Sequence, residues 1–410
     1  MKKYISLEEA QSLLLEYCQP IGGEYVELPE AFGRIIRADI KAEEDIPPFT
    51  RSPLDGYAFI AEDTVNADRQ NPVSLRVLEE VPAGYTASQK VVSGTTIKVM
   101  TGAPIPEGAN AVEKYENIEV VGNKIKIFSS FKAQENTIAA GEDVKKGQVV
   151  VKIGTKITPP ITGLLASLGI NNVPVYKQPR AALVSTGDEL IDADIAAPLK
   201  PGKIRNSTRV TLQGYLKDIG VEPVVIGTAK DKAEEVAFLI QQGLSKADMV
   251  ITTGGVSVGD YDVVAEALNS IGAEIIFWKI DIKPGMPTMV AVKDGKIILG
   301  LSGNPASGLV VFQLLGIPFI RKMAGQSKYS LPKIEAVLQQ EFRKPSPKRR
   351  FLRGKLVLEN GVVNVKLTGS QGNAILSSMV GCNVLVEIPA GSEPLGIGKK
   401  VIAYLVDKID

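Results

Sequence analysis

Apolar residues recur at helical spacing from the first turn of the chain. Leu7, Ala10, Leu14 and Tyr17 share one face, directly after Ser6 and with Glu9 three residues on. A hydroxyl cap, an acid at the third position and an apolar stripe predict a capped helix, which Pro20, Gly22 and Gly23 end. From Tyr25 to about Ile153 the helical period disappears. Short β-rich runs replace it at Val73 to Val77, Thr96 to Met100, Ile118 to Val121 and Lys124 to Phe128, predicting one or two small, mostly β domains. Thr158-Pro159-Pro160 before Ile161 to Leu168 predicts a short helix that starts on prolines.

After residue 180 the pattern alternates. Apolar runs at Ala181 to Ser185, Pro223 to Ile226, Met249 to Thr252 and Glu274 to Phe277 read as strands. Helical periods from about Ser207 to Ile219, Lys232 to Leu244 and Tyr261 to Ile271 separate them. Runs at Thr288 to Val292 and Ile297 to Leu301 precede a helix from about Pro305 to Ile320. Such alternation predicts right-handed βαβ units and a mainly parallel, doubly wound sheet. Beyond Lys322 the runs are short again (Leu356 to Leu358, Val362 to Leu367, Val384 to Ile388, Val401 to Val406), predicting an all-β terminal domain, such as a small barrel. The fold class is therefore α/β and multidomain, with small β-rich domains and a β-barrel-like C-terminal one.

Composition removes chemistry. The 410 residues include no histidine, which excludes Ser-His-Asp and Cys-His nucleophile systems, HExxH zinc sites and His-ligated iron. Acid–base work falls to carboxylates, Lys, Tyr or Cys. A net charge of +1 leaves no electrostatic footprint for bulk nucleic-acid or membrane binding. Cys18 and Cys382 read as two reduced thiols of a cytoplasmic protein. Glu8, Glu9 and Glu16 interrupt any signal segment after Lys2 and Lys3. The longest apolar stretch, Leu309 to Ile320, carries Gln313, Gly316 and Pro318 and is short for a membrane span.

In an open α/β sheet, ligands bind beyond the carboxyl ends of the strands. Three segments leave strands there: Thr186-Gly187-Asp188-Glu189, Gly254-Gly255-Val256-Ser257-Val258-Gly259-Asp260-Tyr261-Asp262, and Ser302-Gly303-Asn304-Pro305. Small residues admit close backbone approach, and the helix ends that follow favour an anion. Asp188, Glu189, Asp231, Asp260 and Asp262 line the same edge, a set suited to Mg²⁺ beside phosphate, although a single loop acid is commonly a cap. Lys279 and Lys283 could supply point charges for an oxyanion, or could be surface lysines beside the Pro284-Gly285 turn. Gly255-Val256-Ser257-Val258-Gly259 has the spacing of a nucleophile elbow, but no histidine base exists for Ser257; only a Ser–Lys pair with Lys279 or Lys283 survives. The run Arg343 to Lys355 holds seven cations and no acid, and reads as a solvated edge strand kept soluble by charge rather than a nucleic-acid patch.

Together these residues resemble the molybdopterin molybdenumtransferase (MoeA) family, which includes the gephyrin E domain. The carrying motifs are Pro47-Pro48-Phe49 with Ser52 to Ala58, Met100-Thr101-Gly102-Ala103-Pro104, Gly141-Glu142-Asp143-Val144 and Ser185 to Leu190. To these the Gly254 to Asp262 loop, Phe277-Trp278-Lys279, Lys283-Pro284-Gly285, Gly303 to Ser307 and Phe351-Leu352-Arg353 are added.

The resemblance implies four domains: a small one from 21–45 and 146–177, an inserted β-rich one at 46–145, an α/β one from 1–20 and 178–326, and a barrel-like one at 327–410. It implies a homodimer in which Asp55, Thr101 and Asp143 of one subunit face the α/β loops of the other. The implied reaction inserts molybdate into the dithiolene of adenylylated molybdopterin with Mg²⁺-dependent release of AMP. Asp188, Glu189 and Asp262 would then hold metal, and Asp231 would help to handle the nucleotide. Lys279 and Lys283 would hold the oxyanion. Thr186, Gly187, Gly254, Gly255, Ser257, Gly303, Asn304 and Pro305 would shape the pterin-nucleotide pocket. A pterin-adenylylating partner and molybdoenzyme partners are implied as well; a tungstate-tuned enzyme or a non-catalytic scaffold of the same fold are the alternatives.

Four positions depart from the family pattern. Met286 stands where Lys-Pro-Gly-Lys-Pro would place a second lysine, Ser302 where proline is usual, Thr208 where Asn is usual and Asn373 where Ser is common. Met286 should weaken the oxyanion grip, and Ser302 should loosen its loop.

Overall fold

A computed structural model describes residues 1–195, 198–256 and 263–409. Its centre is a seven-stranded sheet of β1 (Lys2–Ile5), β2 (Arg180–Thr186), β3 (Glu222–Ala229), β4 (Met249–Thr253), β5 (Glu274–Ile280), β6 (Met289–Lys293) and β7 (Lys296–Leu301), in the spatial order β1-β5-β6-β7-β4-β2-β3. The sheet is mainly parallel, as the alternation predicts; β6 alone runs antiparallel to both neighbours. An Asp294-Gly295 turn folds β6 onto β7, so a hairpin replaces a βαβ crossover at that point.

Helix α1 (Leu7–Glu16) starts as expected, with Ser6 Oγ accepting the Glu9 N–H at 3.1 Å. The Glu9 carboxylate turns to Lys2 Nζ instead of closing the capping box, so half of the motif forms. Strand β1, at the sheet edge, has no sequence signal: it is four residues long and only Ile5 is buried. It is made by pairing with β5, some 275 residues away.

Helix α1, helix α2 (Ser207–Asp218) and the helix that starts at Pro305 pack Leu7, Leu14, Leu212, Leu216, Leu309 and Phe312 on one face of the sheet. Helices α3 (Ala233–Lys246) and α4 (Val263–Ser270) cover the other with Val236, Ile240, Val264 and Leu268. The Pro305–Met323 helix is long and apolar enough to cross a membrane, but 89% of its apolar window is buried in the protein, so it is a core helix. A π turn at Phe312–Gly316 interrupts it.

Residues 46–145 contain a six-stranded sheet in which Gly56–Phe59 lies between Ala111–Lys114 and Thr95–Val99. Two small ladders, Ile40–Lys41 with Val149–Val151 and Gly23–Glu27 with Asn172–Tyr176, flank this insertion and pack with the helix Pro159–Ser167.

The C-terminal strands β8 (Lys333–Leu338), β9 (Arg349–Glu359), β10 (Val362–Leu367), β11 (Val384–Ile388) and β12 (Lys400–Leu405) form a closed barrel in the order β9-β10-β8-β12-β11, returning to β9. The expectation of a solvated edge strand at Arg343 to Lys355 holds for the exposed cations Arg343, Lys344 and Lys348 and is overturned from Arg349 onward. Strand β9 is paired with β10 and β11, and its first residues also pair with Ile282–Lys283. Arg353 is 0% exposed, and Arg349 is bonded to Glu8 and Glu387. These cations point into junctions that only the folded chain creates.

Candidate active site

Strands β2, β4 and β7 end at one level, with Ser185 opposite Thr253 and Thr253 opposite Leu301. Their loops therefore leave the sheet side by side, as expected at the carboxyl edge. The backbones touch. A Cβ on Gly254, whose φ is +86°, would stand 2.1 Å from the Thr186 carbonyl oxygen, and one on Gly303 would stand 3.3 Å from Gly254 Cα. The Gly254 N–H donates to Leu301 O at 3.1 Å. Only residues without a side chain allow this approach.

Thr186, Gly187, Gly254, Gly255, Gly303, Asn304 and Pro305 thus form one contiguous wall. Thr186 lies 2% exposed there, and its Oγ1 has no hydrogen-bond partner among the described residues. A buried hydroxyl without a partner is costly and marks a position that a ligand atom can satisfy.

The acidic side of the cleft is equally compact. The Asp188 N–H donates to Asp231 Oδ2 at 3.3 Å, which ties the β2 loop to the β3 loop. The Glu189 carboxylate folds over Gly187, 2.5 Å from where a Cβ would sit. No cluster of three or more His, Cys, Asp or Glu is present among the described residues. A hard cation such as Mg²⁺ takes as few as one or two carboxylates, so at Asp188 and Glu189 it would draw its remaining ligands from substrate and water. Ser257, Asp260 and Asp262 lie outside the described residues.

Sequence reasoning missed one wall of this cleft. Asn206, Ser207 and Thr208, at the start of α2, line it with Thr186, Glu189, Thr253, Gly303 and Pro305. Asn206 is buried, accepts the Arg209 N–H through Oδ1 at 3.3 Å and donates to Thr228 Oγ1 at 3.4 Å. The signal was the Asn206-Ser207 cap before a helical period; what it lacked was a placement, since α2 reaches the cleft only through the chain's return path.

Lys279 and Lys283 stand apart. Lys279 is at the end of β5, three strand positions from β4, so roughly 14 Å of sheet separates it from the Gly254 turn at about 4.8 Å per strand. It is 7% exposed, which overturns the surface-lysine reading for this residue. Its Nζ lies over the rings of Trp278 and Tyr4. Lys283 is exposed and belongs to the two-residue strand paired with Arg349 and Arg350 of the barrel.

One of the four departures behaves differently from expectation. Ser302 does not loosen its loop: it is buried, and its Oγ accepts the Asn304 N–H at 3.3 Å, a restraint in place of the proline ring. Asn373 uses its backbone carbonyl, which accepts the Ser307 N–H at 3.1 Å and joins the barrel to the first turn of the Pro305 helix.

In the inserted sheet, Asp55 Oδ1 accepts from Thr101 N at 2.7 Å and from Thr101 Oγ1 at 2.8 Å. The backbone hydrogen bond from Thr101, then its hydroxyl, holds the Asp55 carboxyl below the usual range. Asp143 is exposed, and its N–H donates to Ile46 O at 3.0 Å. The hydrogen bonds of these three residues stay within residues 46–145, so the structure does not join them to the α/β cleft of the same chain.

Three family models match. Residues 5–169 match the MoeA N-terminal region (domain I and II), residues 182–322 match a probable molybdopterin binding domain, and residues 335–406 match the MoeA C-terminal region (domain IV). The molybdopterin molybdenumtransferase of Bacillus subtilis is 33% identical over 407 residues, covering 98% of this chain and 94% of the relative. That of Staphylococcus aureus is 34% identical over 403 residues, covering 98% and 96%. The crystal structure of a molybdopterin biosynthesis MoeA protein from Pyrococcus horikoshii superposes with a TM-score of 0.86 at 33% identity, covering 99% of this chain and all of that one.

Proposed function

The chain belongs to the molybdopterin molybdenumtransferase family, and from that premise we propose that it inserts molybdate into the dithiolene of adenylylated molybdopterin, with Mg²⁺-dependent release of AMP. The observation that carries this reading is the cleft where three backbone turns meet around the unpartnered Thr186 hydroxyl. Its backbone amides and the start of α2 favour the phosphates of a nucleotide. Asp188 and Glu189, with Asp231 behind them, would hold Mg²⁺, which when bound neutralises phosphate charge as AMP departs.

Lys279 and Lys283 receive the oxyanion at the barrel side of the same edge, so one elongated substrate would span from the nucleotide end to the metal-insertion end. The pterin sulfurs replace oxo groups of molybdate, which leave as water with the thiol protons, and the protein need supply no covalent nucleophile. The absence of histidine is consistent with that division of labour.

Asp55, Thr101 and Asp143 enter from a second copy of the chain, in a homodimer whose sites are shared. A cytoplasmic enzyme, fed by an adenylylating partner and emptied by molybdoenzymes, completes the reading.

The test is direct. Purified protein receives adenylylated molybdopterin, Mg²⁺ and molybdate, and AMP and active cofactor are measured. Release of AMP coupled to cofactor formation is expected; tight pterin-nucleotide binding with neither product would replace the enzyme by a scaffold. Tungstate in a parallel reaction decides between the two oxyanions.

A further inference from the structure

Tyr4 and Lys279 face each other across the parallel β1–β5 pair, between the register pairs Lys3–Trp278 and Ile5–Ile280. Both have left-handed backbones, with φ of 55° and 73°. Non-glycine residues in this region are strained and persist where surrounding structure demands them, often at ligand sites.

The Lys279 ammonium is nearly buried. Its contacts are Tyr4 Oη at 3.4 Å, the Trp278 ring at 4.5 Å and the Tyr4 ring at 5.3 Å, and no carboxylate pairs with it among the described residues. A desolvated ammonium without a counter-ion is unfavourable until an anion approaches. Because Lys279 donates to Tyr4 Oη, the phenolic proton is free to point outward, and Tyr4 is 54% exposed.

A second cation meets this pair from the barrel side. Lys348 Nζ lies 6.0 Å from the Tyr4 ring, 2.8 Å from Asp281 Oδ1 and 3.8 Å from Met286 Sδ. Met286 is the position where the resemblance places a second lysine. In the parallel register Ile282 faces Arg349 and Lys283 faces Arg350. The Asp281–Lys348 ion pair sits one position before this short pairing, so Lys348 is held beside the Lys283 turn.

We propose that Tyr4 and Lys348 are oxyanion-binding residues of this enzyme: Tyr4 donates its hydroxyl proton to the oxyanion, and Lys348 supplies from the barrel the charge that Met286 withholds. The proposal rests on the reading that Lys279 and Lys283 receive a tetrahedral dianion such as molybdate. Its ligands then come from β1, β5, the Lys283 turn and the strand before Arg349, so the barrel is part of the site.

The test measures molybdate binding to the full-length protein by calorimetry, with adenylylated molybdopterin titrated separately. Lys348→Met and Tyr4→Phe should each weaken molybdate about tenfold, the order expected for one lost charge-assisted hydrogen bond, and leave pterin-nucleotide affinity within about twofold. Met286→Lys added to Lys348→Met should recover most of the loss. Thermal midpoints matching the parent exclude misfolding, and Tyr4→Phe keeps the ring over Lys279.

Unchanged molybdate affinity in both variants overturns the proposal. So does equal weakening of both ligands, which marks a structural role, and so does a parent protein that binds no molybdate. A parent that binds molybdate through Tyr4 and Lys348 yet releases no AMP would refute the insertion reaction and leave this site standing. Full turnover with variants indistinguishable from the parent would do the reverse.

Discussion

Arg353 Nη2 donates to the Gly372 carbonyl at 3.0 Å, from a position in the barrel wall that has no exposed surface. The same guanidinium reaches Ser370 O at 3.3 Å and Ser378 Oγ at 3.0 Å, and Gln371 brackets the Arg353 backbone on both its N–H and its carbonyl. Burial lowers the Arg353 pKa to about 10, which leaves it cationic at neutral pH. One buried cation thus shapes the loop whose next residue, Asn373, accepts the Ser307 N–H at the first turn of the Pro305 helix.

Arg353→Met should therefore act on stability and on the site together. It removes the hydrogen bonds to the Ser370 and Gly372 carbonyls and to Ser378 Oγ from a fully buried position, for a loss of about 3 kcal/mol. A lowered midpoint in chemical denaturation measures the first effect. Weaker pterin-nucleotide binding at temperatures where the variant stays folded measures the second.

The Asp55–Thr101 contact is exposed and belongs to the function assigned to it more than to folding. Asp55→Asn should leave the denaturation midpoint nearly unchanged and abolish most AMP release. Because Asp55 and Lys283 are assigned to opposite subunits of one site, mixing Asp55→Asn with Lys283→Ala protein under subunit exchange should restore about a quarter of the parent activity: half the dimers are mixed, each with one intact site. No recovery in verified mixed dimers would argue against a shared site.

Gly254→Ala should be severe. Its Cβ would fall 2.1 Å from the Thr186 carbonyl, at a φ of +86° that alanine resists. A cost of about 2–4 kcal/mol is expected, with pterin-nucleotide binding lost first. Gly303→Ala, whose Cβ would meet Gly254 Cα at 3.3 Å, should be milder in the same assays.

Cys18 and Cys382 are free and buried, and burial pushes both thiols up to about 11. In the unfolded chain they ionise near 9, so between about pH 9 and 11 the unfolded state loses protons that the folded state keeps. Stability should fall with rising pH across that window and show no contribution from the thiols below it. Cys18→Ala and Cys382→Ala should each flatten the fall. At pH 8 neither thiol should react with an alkylating reagent until denaturant unfolds the protein.

Much of the α/β architecture was legible because its signals are local. Ser6 caps α1, helical periods place α2 and α3, and glycine-rich turns follow β2, β4 and β7. Each depends on residues within a few positions of one another. Where local pattern and pairing disagreed, pairing won: the Arg343–Lys355 run reads as solvent-facing, yet Arg349 meets Glu8 across 341 residues and Arg353 is buried under the 370–378 loop.

The site divides in the same way. The sequence by itself determined the chemistry available: no histidine, carboxylates and small residues at the strand ends, lysines before and within the Lys283 turn. Folding set the grouping. It brought α2 to the Thr186 wall, set Lys279 some three strands from Gly254 and placed Lys348 against Met286. The physical reason is that side-chain type is a property of the residue, whereas burial, counter-ions and register are properties of whichever distant segment packs against it.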